Sequence, residues 1–201
     1  MRTTSSALPQ RRTLARAGVA LLLGAGVAVG GAAPASAQVL VPAGCGPYSG
    51  QPVPAGFTLE DHSGEPGPLG TAANPYRTQL TNNMITVGTP FADVIEGSNT
   101  PQEVICGLAG ADEINGNGGN DEIYGHDGRD ILSGGEFRDF ISGGQNNDTI
   151  HGDEVDATGS DQNDELQGGD GDDTLIGGND KLTPTVPDVL RGGAGNNTLT
   201  P

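Results

Sequence analysis

From residue 88 onward the chain repeats a nine-residue pattern of polarity. Glycine opens each unit, Asp usually stands sixth, and one aliphatic residue stands eighth between mostly polar neighbours. Residues 107–115 (GLAGADEIN), 116–124 (GNGGNDEIY) and 125–133 (GHDGRDILS) are contiguous copies, and GGEFRDFIS and GGQNNDTIH carry the period to residue 151. Residues 168–176 (GGDGDDTLI) and 192–200 (GGAGNNTLT) resume it, while 88–96 (GTPFADVIE) and a ten-residue copy at 97–106 extend it backward. Two longer copies, 152–167 and 177–191, keep the ends of the motif around insertions, which makes eleven units. The glycines permit tight-turn dihedrals that a Cβ resists, and the last three residues of each unit are free to extend as a short strand. Alternation along that strand sends the eighth residue inward and the seventh and ninth to solvent. The inward set is Ile95, Ile105, Ile114, Ile123, Leu132, Ile141, Ile150, Leu166, Leu175, Leu190 and Leu199.

These units resemble the Repeats-in-Toxin (RTX) family of hemolysin-type calcium-binding repeats, whose unit is G-G-x-G-x-D-x-U-x with U aliphatic. The resemblance covers residues 88–200 and is specific because the register persists over so many copies. It implies an all-β fold, a right-handed parallel β-roll (a β-solenoid) preceded by an irregular Pro/Gly-rich segment. It also implies that two units make one coil, so that alternate turns stack in two rows, and that Ca2+ binds in those turns. Counting units from residue 88, the odd row carries Asp93, Asp112, Asp130, Asp148, Asp173 and Asn197 at the sixth position. The even row carries Glu103 as its nearest match, then Asp121, Asp139, Asp164 and Asp188. Asp127, Asp170 and Asp172 add nearby carboxylates. All the length irregularities fall in the even row, so the odd row is expected to hold the better sites. Phe91 and Phe137 in place of the fourth glycine, Asn146 likewise, and Asn197 in place of the last Asp mark weaker turns. With no polar cap after residue 200, the last turn is expected to fray or to meet a partner.

Composition changes the picture by asking what stabilises such a roll. Apolar residues make up 33% of the chain and Trp is absent, against about 45–50% apolar in ordinary globular domains. Such a chain is either disordered or held by something other than burial, and the periodicity favours the second. One aliphatic residue in nine offsets too little of the entropy lost on ordering the rest. Stacked sixth-position carboxylates repel one another until a cation joins them. A hard cation taking six to eight oxygens, completed by turn carbonyls, suits Ca2+; Mg2+ wants a stricter octahedron, and zinc or copper would want His or Cys at these positions.

The remaining segments bound the function. Residues 1–37 read as a signal peptide: Arg2, Arg11, Arg12 and Arg16, an apolar stretch over 17–33, and the cleavage site Ala35-Ser36-Ala37. The export route is Sec or, through Arg11-Arg12, twin-arginine; a membrane anchor is the alternative to cleavage, and no membrane insertion is expected of the mature chain. Cleavage leaves residues 38–201, in which five cationic side chains oppose 26 acidic ones, a net charge of −21. Nucleic acid and anionic membranes are poor partners for it. Residues 38–87 form a Pro/Gly-rich linker or N-terminal cap. Cys45 and Cys106 suit a disulfide in an exported protein; two free thiols or intermolecular pairing remain open. His62, His126 and His151 lack zinc-ligand spacing and read as surface residues. The acidic loop 153–162 is a solvated loop or a contact for calcium or a cell-surface partner. No nucleophile motif is present, and the repeat accounts for nearly all the carboxylates. The expectation is a secreted, non-catalytic calcium-binding protein that folds on binding calcium. An adhesive or cell-envelope role is the alternative, and ice binding a weaker one, because the ninth positions are too mixed for a flat Thr/Asn row.

Overall fold

The inward-facing residues stack as the period requires. The computed structural model describes residues 39–43, 45–55, 57–64, 67, 83–99, 102–153, 163–178 and 187–201, and within them thirteen strands form two parallel sheets. One sheet contains, in spatial order, β1 (Thr58–Asp61), β2 (Met84–Val87), β4 (Glu103–Ala109), β6 (Glu122–Asp127), β8 (Phe140–Gln145), β10 (Glu165–Asp170) and β12 (Val189–Ala194). The other contains β3 (Val94–Glu96), β5 (Glu113–Asn115), β7 (Ile131–Ser133), β9 (Thr149–His151), β11 (Thr174–Ile176) and β13 (Thr198–Thr200). Odd and even units therefore feed opposite sheets, each coil takes one strand from each, and strand neighbours are always one coil apart. This is a parallel β-roll. The proposed export segment 1–37 and residues 154–162 of the acidic loop lie outside the described residues, and among those described no helix is long and apolar enough to cross a membrane.

Register follows the eighth position. Ile105, Ile123, Ile141, Leu166 and Leu190 pair in sequence along one sheet, and Ile95, Ile114, Leu132, Ile150, Leu175 and Leu199 along the other. A one-residue slip would turn every aliphatic outward, so the insertions in the even row have to leave the strands in phase, and they do. Nine of these side chains, Ile95 through Leu175, form the buried core between the sheets, with Leu190 partly buried against it. Leu199 departs from the expectation: it is 45% exposed, because no further coil stacks on β13.

A second apolar cluster corrects the expectation that seventh and ninth residues face solvent. On the outer face of the larger sheet, Ile85, Val87, Val104, Cys106 and Tyr124 are buried under Val41 and Cys45, with Tyr48, Val53, Phe57 and Leu59 packed around them. The alternation still operates here, but Ile85 and Val87 of β2 and Val104 and Cys106 of β4 make the outer face apolar while Ile105 faces the core, so this end of the sheet needs cover on both sides. Residues 39–43, 45–55 and 57–59 supply it, with a short 3-10 turn, Gly46–Tyr48, and a disulfide between Cys45 and Cys106. The larger sheet also begins before the first repeat, since β1 pairs with β2 and β2 with β4.

Candidate metal centre

Each turn is shaped by close approach and by backbone handedness. At Gly116, a first-position glycine, a Cβ would lie 2.6 Å from the Gly134 carbonyl oxygen of the next coil and 2.7 Å from Asp121 Oδ2, so any side chain would fill the space between carboxylate and carbonyl. The fourth position takes a positive φ in several units, 135° at Gly110 and 150° at Gly171, but not at Phe91 or Gly128. Phe137 is held there at 82°, a conformation that costs a residue with a Cβ about 1–2 kcal/mol, which is the physical reason to rank its turn as weaker.

The sixth-position carboxylates build a ladder of their own along each row. Asp112 Oδ1 accepts the Asp93 N–H at 2.8 Å, Asp130 Oδ1 accepts that of Asp112 at 2.9 Å, and Asp148 and Asp173 continue the series at 2.9 Å each. In the even row Asp121, Asp139, Asp164 and Asp188 accept in turn from Glu103, Asp121, Asp139 and Asp164 at 2.8–2.9 Å. One oxygen of each carboxylate thus closes a backbone bond between coils. The other oxygen, Oδ2, is buried without a hydrogen-bond partner at Asp112, Asp121, Asp130, Asp139, Asp148, Asp164 and Asp173. An unpaired carboxylate oxygen in a dry turn is costly unless a cation meets it.

The ends of the ladders are closed differently. Asp93 has both oxygens occupied by Thr89, whose N–H donates to Oδ2 at 2.7 Å and whose hydroxyl donates to Oδ1 at 2.8 Å. Glu103 Oε2 accepts the Ser98 N–H at 2.6 Å. At the far end of the odd row, Asn197 Oδ1 accepts the Asp173 N–H at 2.8 Å while its Nδ2 donates to the Gly193 carbonyl at 3.4 Å. Thr89, Ser98 and Asn197 break the repeat at its margins, and in each case the substitution leaves a turn whose hydrogen bonds close without a cation. Their residue types were the only signal of this in the sequence.

Among the other residues singled out from the sequence, Asp127, Asp170 and Asp172 are exposed. Asp127 and Asp170 share a row with Gln145 between them, two strands apart, so they do not meet. Asp172 Oδ1 accepts the Asn196 N–H at 2.8 Å. Asp188 is half-buried on the last even turn, and the three histidines are half-buried rather than fully exposed.

Burial pushes the ladder carboxyls upward, to about 7 at Asp112, Asp121 and Asp148, about 8 at Asp139 and about 9 at Asp164; backbone N–H bonds oppose the shift and neighbouring carboxylates reinforce it. Among the described residues no three His, Cys, Asp or Glu side chains converge as a metal-binding group. A cation in these turns would therefore take one or two carboxylate oxygens and complete its shell from carbonyls. That donor set fits Ca2+ and not zinc.

The two oxygens of one carboxylate can be separated by mutation. Asp130→Asn keeps the acceptor for the Asp112 N–H, as Asn197 does for Asp173, but puts an amide where Oδ2 stood. Asp130→Ala removes both and strands a buried N–H, at a cost of about 1–3 kcal/mol. Thermal unfolding in chelator should rank Asn at or above wild type and Ala below it, whereas in calcium both variants should fall below wild type. Equal losses for Asn and Ala in chelator would show that Oδ1 closes no ladder.

A family model for the RTX calcium-binding nonapeptide repeat matches the chain in four copies, over residues 104–132, 124–156, 157–181 and 187–200. No curated protein and no solved structure matches it.

Proposed function

Residues 104–200 belong to the RTX calcium-binding nonapeptide repeat family, whose repeats bind Ca2+, and from that premise we propose that the chain is an exported, non-catalytic module that folds outside the cell on binding calcium. The observation that carries this reading is the set of seven buried Oδ2 atoms without a hydrogen-bond partner. Asp112, Asp130, Asp148 and Asp173 in the odd row and Asp121, Asp139 and Asp164 in the even row are the ligands of choice, with Asp188 completing the last even turn. Asp93 is a weaker candidate because Thr89 occupies both of its oxygens, and Asp127, Asp170 and Asp172 are outer carboxylates that raise the local negative potential. When bound, the cation supplies positive charge and oxygen coordination to a column of otherwise repelling carboxylates. The protein's own part is to hold Oδ1 in the inter-coil ladder so that Oδ2 is presented inward.

Coupling of binding to folding follows from the thin core. The aliphatic stack is one side chain wide per strand, so the roll depends on neutralising its turns. Export rests on the basic, apolar and Ala-x-Ala series of residues 1–37. The non-catalytic reading rests on the commitment of the sixth-position carboxylates to the ladder. An adhesive role is favoured by one feature, an open groove of about 550 Å³ on the larger sheet, floored by Tyr124 and Phe140 and bordered by Pro47, Asn120, Arg138 and Glu165; calcium-dependent retention on cells would identify it.

Far-ultraviolet circular dichroism during a calcium titration, with magnesium as control, tests the main reading. A coil-to-β transition driven by calcium alone, at about 10⁻⁴–10⁻³ M, is the expected result. Absence of any transition up to about 10 mM, well beyond that range, would overturn it.

A further inference from the structure

The geometry of the outer face of the larger sheet points to a binding site for a neutral saccharide seated on Phe140; this deepens the adhesive reading of that groove and rests on it. Phe140 is the middle residue of a row across three adjacent strands, paired with Glu122 of β6 on one side and with Glu165 of β10 on the other, each strand about 4.8 Å from the next. It packs against the outer apolar cluster, so its ring stands between two carboxylates over the groove. The groove's volume of about 550 Å³ lies within the about 300–1,000 Å³ of small-ligand sites. Tyr124 closes the floor beside it, with ring centroids 5.7 Å apart and an interplanar angle of 50°. Tyr124 is only 7% exposed, so Phe140 supplies the open face.

Both carboxylates are held in place by protein donors. Glu122 Oε1 accepts the Tyr48 hydroxyl at 3.0 Å, and its Oε2 accepts the Tyr124 hydroxyl at 3.1 Å. Glu165 Oε1 accepts from Gln167 Nε2 at 3.1 Å and from the Arg191 guanidinium. Carboxylate oxygens held this way keep further lone pairs for a ligand, and the exposed Asn120 and Arg138 at the rim add donors. Arg138 and Arg191 match the two glutamates in charge, and the cation of the even-row turns matches Asp121 and Asp139 at the margin, so the groove is near neutral on a strongly acidic chain. A flat apolar face ringed by fixed acceptors and donors suits a sugar ring. The C–H face of the sugar lies on Phe140, and its hydroxyls donate to the glutamates and accept from Asn120 and Arg138. A peptide strand would want a free sheet edge, and an amphipathic helix a wholly apolar groove. Glu122, Phe140 and Glu165 each directly follow a ladder residue, Asp121, Asp139 and Asp164, so order in the even row fixes the spacing of this row and saccharide binding requires calcium.

An array of neutral and uronate-containing oligosaccharides, probed with the full chain and followed by calorimetry of those that retain it, tests this. Neutral oligosaccharides should bind in calcium and not in chelator. Phe140→Leu, which keeps apolar packing but loses the flat ring, should lower the affinity at least about tenfold, while Phe140→Tyr should retain binding. Arg138→Ala, at the exposed rim, should weaken it with the calcium-induced β signal unchanged, and this variant decides the matter if Phe140→Leu fails to fold. Retention by uronates alone, binding of tetralysine in preference to any sugar, or a Phe140→Leu isotherm that superimposes on wild type would overturn the saccharide site. Retention of the chain on cells in calcium that no arrayed sugar competes away would overturn the saccharide and leave the adhesive reading standing. A chain that neither cells nor the array retain would overturn both.

Discussion

Without calcium, acidification from about pH 9 to about pH 5 should convert the chain from coil toward β-roll, the reverse of ordinary acid denaturation. In the unfolded chain the ladder carboxyls titrate near 3.8, whereas in the metal-free roll burial holds Asp112, Asp121 and Asp148 near 7, Asp139 near 8 and Asp164 near 9. Between those limits the folded state carries the extra protons, so its stability is fully present below the unfolded value and is lost as pH rises through 7 to 9. The shift has the same direction at all five carboxyls, so their losses reinforce one another. Saturating calcium should invert the profile, because the cation requires the ionised form, and calcium uptake near pH 7 should release protons. Circular dichroism across this range in chelator and in calcium, with potentiometric proton counting, reads both signs. A metal-free chain equally coil-like at both ends would mean that these carboxylates are solvated.

The second large effect concerns the cover on the larger sheet. The Cys45–Cys106 bond closes a loop with a sequence separation of 61, and a cross-link of that length removes about 4 kcal/mol of unfolded-state entropy, about a thousandfold in the folding equilibrium. Reduction, or Cys45→Ser with Cys106→Ser, should raise the calcium concentration needed for folding and expose residues 39–57 to protease before the repeats are cut. The order of cleavage, read by mass spectrometry, is informative because the cover and the roll are held by different forces: apolar packing on Ile85, Val104 and Tyr124 for the one, ladder and cation for the other. A shift below about 1 kcal/mol would assign the cover to packing alone, since that lies well under the entropic expectation.

The period of nine was enough to name the buried residues. Ile95 through Leu175 face the core because an aliphatic side chain at every eighth position has no other place to go when glycine turns return the chain after each short strand. The stacking of the sixth-position carboxylates in two rows is what the resemblance to the RTX family implies, and their oxygen chemistry suits calcium. The period itself is a property of local spacing, which a sequence states directly. Which oxygen each aspartate spends on its neighbour's N–H could not be read there. Nor could the occupation of Asp93 by Thr89, the closure of the odd row by Asn197, or the inward turn of Asp153. The closure by Asn197 and the burial of Asp153 depend on groups one coil away, twenty-four residues distant in sequence, whereas Thr89 meets Asp93 within a single turn. The same holds for the apolar outer face of the larger sheet: Val104, Cys106 and Tyr124 look like irregular flanking positions until stacking aligns them with Ile85 and Val87 beneath residues 39–59. The sequence alone determined the repeat, its core and its ligand chemistry, because these recur within every unit. Only the tertiary structure decided which carboxylates keep a buried Oδ2 without a hydrogen-bond partner and which face is covered, because those follow from contacts between coils and from a segment that lies outside the repeat.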